Sequence, residues 1–137
     1  MPRVPVPAEV SEFLARPNPA VIATLRPDGS PHSVPTWYDW EDGRVLVNMD
    51  ESRLRLAFMR RDPRASLTVL ADGGWYKHVS LMGRVVSIEE DRDLRDIDRL
   101  ARRYMQQPFG NRDAKRVSAW LLPDRWHGWS GSNPWPR

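Results

Sequence analysis

The sequence predicts a mainly β protein with helices, folded as a small mixed barrel of antiparallel strands. Runs of apolar and β-branched residues are joined by short turns rich in Pro, Asp and Gly, and stretches with helical period interrupt them. Its 137 residues suit one domain with one hydrophobic core, over 1–137. We expect closure into a barrel, because a closed sheet leaves no free strand edges.

The first part of the chain predicts one helix and three strands. Val10, Phe13 and Leu14 fall on one face of a helix over 7–14, so that residues 1–19 form an N-terminal helix and linker. Turns of the Pro-Asp-Gly and Asp-Gly type at 27–30 and 41–43 separate the strands. These strands are predicted at 20–25, 32–40 and 44–49.

The second part predicts two helices and three more strands. Leu54, Ala57 and Phe58 have helical spacing within 52–61, and Ser87-Ile88-Glu89-Glu90 fits a capping box that opens the longer helix. That helix carries an apolar face of Leu94, Ile97, Ala101 and Tyr104. The strands are predicted at 64–70, 75–86 and 117–129, the last bent at Pro123. The pattern leaves the order of the tail, 130–137, undecided.

Composition excludes several kinds of chemistry. Cysteine is absent, which excludes disulfides and thiolate nucleophiles, and the three histidines are isolated, so we expect no metal site. No glycine-rich nucleotide loop, nucleophile elbow or evident general base occurs, and no catalytic residue can be named. An enzyme of this composition would take its chemistry from a cofactor.

The apolar pattern and the charge of the sequence limit where we expect the protein to act and which classes of partner we expect it to bind. No apolar run approaches the roughly 20 residues of a membrane helix, and the start lacks a secretory apolar stretch, so we expect a cytoplasmic protein. The net charge of +3 favours anionic ligands. Acidic residues are interspersed with the arginines, which argues against nucleic-acid binding. Seven tryptophans indicate an interface or a ring-shaped ligand, with core packing as the alternative.

The best candidate site lies where the third strand meets the following helix. A hydroxyl and two arginines stand there at a helix N-terminus, which presents unpaired amides and suits a phosphate. The alternative is an ordinary capped helix with exposed arginines. The residues of this candidate site are Asn48, Asp50, Ser52, Arg53 and Arg55.

The chain resembles the pyridoxamine-phosphate-oxidase-like, FMN-binding split-barrel superfamily. The features that carry the resemblance are Ala23-Thr24-Leu25, Pro27-Asp28-Gly29-Ser30-Pro31, Val34-Pro35-Thr36-Trp37-Tyr38, Ser52-Arg53, Arg60-Arg61-Asp62-Pro63-Arg64-Ala65-Ser66 and Gly83-Arg84-Val85. Their combination is similar to the actinobacterial branch that uses the deazaflavin coenzyme F420 in place of FMN. The resemblance implies a six-stranded antiparallel split β-barrel and a homodimer with the cofactor at the subunit interface.

The resemblance also implies roles for individual residues. It places Ser52, Arg53 and Arg55 at the cofactor phosphate, and the stretch of Ser33, Val34, Pro35, Thr36 and Trp37 along the tricyclic ring. It makes Trp75, Tyr76 and Lys77 the start of a strand lining the same groove.

The function implied is a deazaflavin-dependent reductase that transfers a hydride to an unsaturated small-molecule acceptor. The alternatives are an FMN-binding oxidoreductase of the same fold and a non-catalytic protein that binds the cofactor or a tetrapyrrole. A purely structural or nucleic-acid-binding barrel is a further alternative, against which the interspersed acids argue. The sequence does not identify the acceptor or the proton donor.

Overall fold

The computed structural model describes residues 1–137. It contains three α-helices and eight strands, and none of the helices is long and apolar enough to cross a membrane. The helices are α1 (Ala8–Leu14), α2 (Leu54–Arg61) and α3 (Arg95–Met105), the last preceded by a 3-10 turn at Arg92–Leu94. The strands are β1 (Ala20–Leu25), β2 (Pro31–Thr36), β3 (Asp39–Glu41), β4 (Arg44–Asp50), β5 (Arg64–Leu70), β6 (His78–Glu90), β7 (Arg116–Ser130) and β8 (Asn133–Pro134).

All eight strands belong to one antiparallel sheet, in the order β2-β1-β5-β6-β7-β4-β3, with β8 paired to β7. The two ends of this order, β2 and β3, are not paired with each other, so the sheet is open on one side. Six strands are long and two are short, which confirms the predicted split barrel. A groove lies at this split between the two unpaired ends of the sheet.

The core fills the inside of the curved sheet. A cluster of 20 buried residues joins α1, α2, Tyr38 and the inward side chains of five strands. Tyr38 is fully buried within it, and its hydroxyl donates to the backbone oxygen of Leu14 at 2.7 Å. At Gly83 a Cβ would overlap the backbone of Leu122, so only glycine fits where β6 crosses β7 at the bulge beside Pro123.

Two predicted strands are corrected by the structure. The stretch 32–40 is broken into β2 and β3, because the chain turns at Trp37 and Tyr38 to bury the Tyr38 ring. The predicted start of the strand at 75–86 is also wrong. Trp75, Tyr76 and Lys77 form a turn closed by a hydrogen bond from the Lys77 amide to the Gly74 oxygen at 3.0 Å.

Two helix predictions are corrected as well. Ser87–Glu90 does not cap a helix, since these residues stay in β6 and pair with β7 as far as Glu90 and Val117. In α2 the buried residues are Leu56 and Met59, whereas Leu54 is 65% exposed. Nearly every position in 54–59 is apolar, so the sequence alone did not determine which face of the helix would be buried.

The C-terminal tail is ordered. It turns back after Ser130 and pairs as β8, and the Trp135 amide donates to the Gly128 oxygen at 3.0 Å. The Trp135 ring meets Phe13 edge to face at 5.6 Å between centroids, and the Lys77 ammonium lies 4.1 Å from the Trp135 ring centre. The tail therefore covers one end of the core.

Candidate functional site

A groove of about 910 Å³ opens at the split of the sheet. Its walls come from β2, the end of β4, the start of α2, the inner face of α3 and the start of β7. β2 is the edge strand here, and its prolines suit an edge because they have no N–H to donate to a ladder. The lining residues are Pro17, Pro19, Ala20, His32, Val34, Pro35, Thr36, Trp37, Asn48, Met49, Arg53, Leu54, Arg55, Asp72, Ile97, Leu100, Tyr104, Phe109 and Arg116.

One wall of the groove is aromatic. Trp37 stacks on Tyr104 with ring centroids 5.5 Å apart and planes within 7°, and Phe109 meets Trp37 edge-on at 6.2 Å. The Tyr104 hydroxyl donates to the backbone oxygen of Asn18 at 2.7 Å, which fixes the ring. A flat aromatic surface of this kind suits a planar ligand.

The groove also carries positive charge. Arg55 Nη2 donates to the backbone oxygen of Asn48 at 3.0 Å, and its buried Nε has no hydrogen-bond partner. Burial, with the nearby Arg53 and Arg116, lowers the pKa of the Arg55 guanidinium. Three guanidinium groups thus share one region of the groove, an arrangement that attracts anions.

The turn into α2 is built around the Asp50 carboxylate. Asp50 accepts hydrogen bonds from the amide and the hydroxyl of Ser52, and Arg53 Nε lies 3.1 Å from its second oxygen. The Ser52 hydrogen bonds are the main reason that the pKa of Asp50 is lowered. The Asp50 and Ser52 side chains are therefore occupied with each other, and they shape the turn that presents Arg53 and Arg55.

A buried polar network fixes the base of the groove. The Asn48 amide nitrogen donates to Asp91 at 3.0 Å and to Ser118 at 3.1 Å, and its oxygen accepts from Arg116 Nε at 2.7 Å. Asp91 also accepts the amides of Asp96 and Ile97, both at 2.9 Å, and so caps α3. β4, α3 and β7 are thereby held together behind the arginines.

The loop between α3 and β7 is pinned by the buried Asp98. Arg112 binds both Asp98 oxygens, at 2.9 and 3.0 Å, and the Phe109 amide donates to Asp98 at 3.0 Å. The hydrogen bond from Arg112 is the main cause of the lowered pKa of Asp98. This clamp holds Phe109 at the mouth of the groove, where the Arg116 guanidinium lies 4.6 Å from its ring centre.

The predicted site residues divide into three groups. Seven line the groove: Val34, Pro35, Thr36, Trp37, Asn48, Arg53 and Arg55. Three adjoin it, since Asp50 and Ser52 form the turn behind the arginines and Ser33 is exposed in β2 next to Val34. Three lie away from it in this chain: Trp75, Tyr76 and Lys77.

The position of Trp75, Tyr76 and Lys77 outside the groove of this chain has a physical cause. The Trp75 and Tyr76 rings stack on each other at 4.4 Å and are each 64% exposed at the tip of the β5–β6 connection. Lys77 points instead toward Trp135 in the C-terminal tail. None of the three lines the groove of its own chain.

Sequence reasoning missed four notable lining residues. Tyr104, Phe109 and Arg116 come from the second half of the chain, and only the register of β4 with β7 brings Arg116 beside Asp50. His32 was treated as isolated, yet it lines the groove beside Phe58, with a ring distance of 5.4 Å. Its buried Nδ1 has no hydrogen-bond partner.

Comparisons with known proteins agree with this fold. Residues 6–130 match the family model described as pyridoxamine 5'-phosphate oxidase. A solved structure named F420 reductase is 25% identical, with a TM-score of 0.80 over 88% of this chain and 98% of that one.

Two further solved structures share the fold. A conserved hypothetical protein from Mycobacterium tuberculosis is 24% identical, with a TM-score of 0.71 over 93% of this chain and 86% of that one. General stress protein 26 from Bacillus anthracis is 20% identical, with a TM-score of 0.68 over 88% of this chain and 91% of that one.

Proposed function

This chain belongs to the pyridoxamine 5'-phosphate oxidase family, and from that premise we propose that it is a reductase dependent on the deazaflavin coenzyme F420. The family and the neighbouring structures support oxidoreductase activity of the split-barrel kind. The finer assignment draws on the neighbour named F420 reductase and on the groove. The acceptor in this proposal is an unsaturated small molecule.

The observation that carries the proposal is that one groove has both a group of arginines and an aromatic wall. A cofactor with a phosphate and a tricyclic ring needs both features at once. The buried Nε of Arg55 has no partner in the protein, and a phosphate oxygen would satisfy it. The residues present therefore fit such a group.

Each part of the site has a role in this proposal. Arg53 and Arg55 bind the phosphate, and the amides at the start of α2 add further donors. Trp37 and the edge of β2 orient the ring, while Tyr104 and Phe109 pack against Trp37 and hold its ring in place. When bound in its reduced form, the deazaflavin supplies a hydride to the acceptor.

FMN is the second candidate cofactor. The family description supports FMN, and Arg53 and Arg55 would bind its ribityl phosphate as well as the phosphate of a deazaflavin. A protein that binds either cofactor without turnover would use the same groove. Direct titration with both cofactors separates these possibilities.

We also propose that the protein acts as a homodimer in which a second copy covers part of the groove. The stacked Trp75–Tyr76 pair supports this, because two aromatic rings that are each 64% exposed are costly to leave in water. Sedimentation equilibrium should give twice the chain mass for the wild type. Trp75→Ser with Tyr76→Ser should shift that equilibrium toward monomer, and unchanged association would contradict the role of the pair.

The phosphate cradle is tested with Arg53→Ala and Arg55→Ala. Each should weaken binding of the deazaflavin by about tenfold or more, because a charge-assisted hydrogen bond contributes about 1.5–3 kcal/mol. The matched control is Arg26→Ala, which removes an exposed arginine in the β1–β2 turn that has no ion pair. Circular dichroism should be the same for all variants. Unchanged affinity in both cradle variants would refute the assignment.

A further inference from the structure

We propose that Arg116 is a further anion-binding residue of the groove, besides Arg53 and Arg55, and that Arg55 and Arg116 together select ligands with two negative charges. The inference deepens the proposed function and rests on it, in that it assigns a ligand class to the same groove. It concerns a residue from the start of β7, far in sequence from the helix that carries Arg53 and Arg55.

Arg116 is held in place by two neutral contacts. Its Nε donates to the Asn48 side-chain oxygen at 2.7 Å, and its guanidinium lies 4.6 Å from the centre of the Phe109 ring. These contacts use one nitrogen and one face, and neither Nη atom makes a hydrogen bond within the protein. Both Nη atoms remain available to a ligand in the groove that Arg116 lines.

Asn48 orients Arg55 and Arg116 together. Its backbone oxygen accepts from Arg55 Nη2 at 3.0 Å while its side-chain oxygen accepts from Arg116. Because Asp91 and Ser118 hold the other end of the Asn48 amide, that side chain cannot rotate without breaking three hydrogen bonds. One buried residue therefore preorganises two guanidinium groups.

Neither guanidinium has a carboxylate partner. Arg53 forms an ion pair with Asp50 at 3.1 Å, but Arg55 and Arg116 form none. Asp50 and Asp91 raise the pKa of Arg116, but both lie beyond ion-pair distance from it. The Asp50 carboxylate already accepts a hydrogen bond from the Ser52 amide, and the Asp91 carboxylate accepts the first amides of α3. Burial still lowers the pKa of both Arg55 and Arg116.

Two partly buried guanidinium groups without ion-pair partners favour a ligand that brings two negative charges. An anionic partner compensates the desolvation of each guanidinium more strongly than its neutral contacts do. A phosphate monoester brings two charges on one group. A phosphodiester beside a carboxylate brings the same two charges on neighbouring groups.

Two simple anions of fixed charge test the inference without any cofactor. Thermal unfolding is followed with added sulfate, which carries two charges, and with methyl sulfate, which carries one, at constant pH and ionic strength. An anion that binds the folded state raises Tm according to its affinity. The variants are Arg116→Gln and Arg55→Gln, with Arg26→Gln as the matched control for loss of one exposed charge.

The wild type and Arg26→Gln should be stabilised by sulfate more than by methyl sulfate. Arg116→Gln should lose that preference, with sulfate affinity reduced by about tenfold or more, since each charged hydrogen bond contributes about 1.5–3 kcal/mol. The inference is overturned if the wild type does not prefer sulfate, or if Arg116→Gln keeps the wild-type preference. Each variant has its own unliganded Tm as reference, so a variant that is merely less stable still gives a result.

The source of the two charges is resolved by two further ligands. Methyl phosphate represents a monoester, and phospholactate methylated on its phosphate, with its carboxylate free, represents a phosphodiester beside a carboxylate. The ligand whose binding falls more in Arg116→Gln identifies the source.

Deazaflavin titration separates failure of the two proposals. An Arg116-dependent preference for sulfate without deazaflavin binding removes only the proposed function, and deazaflavin binding that Arg116→Gln leaves intact removes only this inference.

Discussion

Asp91 is the residue whose loss should do most damage to the base of the groove. Its carboxylate accepts the amides of Asp96 and Ile97 at 2.9 Å and the Asn48 side-chain amide at 3.0 Å. Asp91 is only 6% exposed, and Asp91→Ala removes all three of these hydrogen bonds at once. We expect α3 to lose its cap and Asn48 to lose its anchor.

The expected loss of stability follows from these contacts. Removal of a helix cap costs about 1–2 kcal/mol. A buried amide donor left with one weaker partner costs about 1–2 kcal/mol more. The free energy of unfolding should fall by about 2–4 kcal/mol, which is a large part of the roughly 5–15 kcal/mol typical of a domain. For a chain of this length the Tm should fall by about 6–14 °C.

Urea unfolding at neutral pH measures this loss, with fluorescence as the probe. The control is Asp124→Ala, because Asp124 is exposed and its side chain makes no hydrogen bond or ion pair. The control should change the free energy of unfolding by less than about 0.5 kcal/mol. If Asp91→Ala costs less than about 1 kcal/mol, the buried network does not hold β4, α3 and β7 together in the way described here.

Two more changes test other parts of the structure. A Cβ at Gly128 would overlap the backbone oxygen of Trp135, so Gly128→Ala should release the tail and expose it to carboxypeptidase, while digestion at the wild-type rate would contradict this. Because Arg112 lowers the pKa of Asp98, this carboxylate stabilises the fold above its unfolded-state pKa of about 3.9, and that stability is lost as the pH falls through the folded-state value. Asp98→Asn should therefore make the free energy of unfolding depend less on pH in the acid range, and it should speed hydrogen exchange at the Phe109 amide. An unchanged pH dependence in that range would refute the ion pair between Asp98 and Arg112.

Local patterns predicted much of the fold. The bounds of β1 and β5 and the buried face of α1 follow the sequence prediction, because turn residues and alternating burial mark them directly. The capping-box prediction at Ser87–Glu90 was wrong for a non-local reason. β7 supplies ladder partners as far as Glu90, so the helix begins later and Asp91 becomes its cap.

The site was predictable only where it is contiguous in sequence. The run at 34–37 and the strand–helix junction at 48–55 are each local, and seven of the predicted residues do line the groove. Arg116 and Phe109 reach the groove through the β4–β7 register and the Asp98 clamp, neither of which leaves a local sequence signal. Trp75 and Tyr76 lie outside the groove of their own chain because a turn at Gly74 directs them outward, and their place beside the cofactor stays a prediction.

Equilibrium titration with oxidised coenzyme F420, and separately with FMN, tests the central claim most directly. Quenching of tryptophan fluorescence is the readout, with Trp37→Phe to identify the signal from the groove, because Trp37 lines it and the chain has seven tryptophans. We predict saturable quenching by the deazaflavin, much weaker quenching by FMN, and loss of most of the change in Trp37→Phe. Tighter binding of FMN, or no binding of the deazaflavin, would contradict the account.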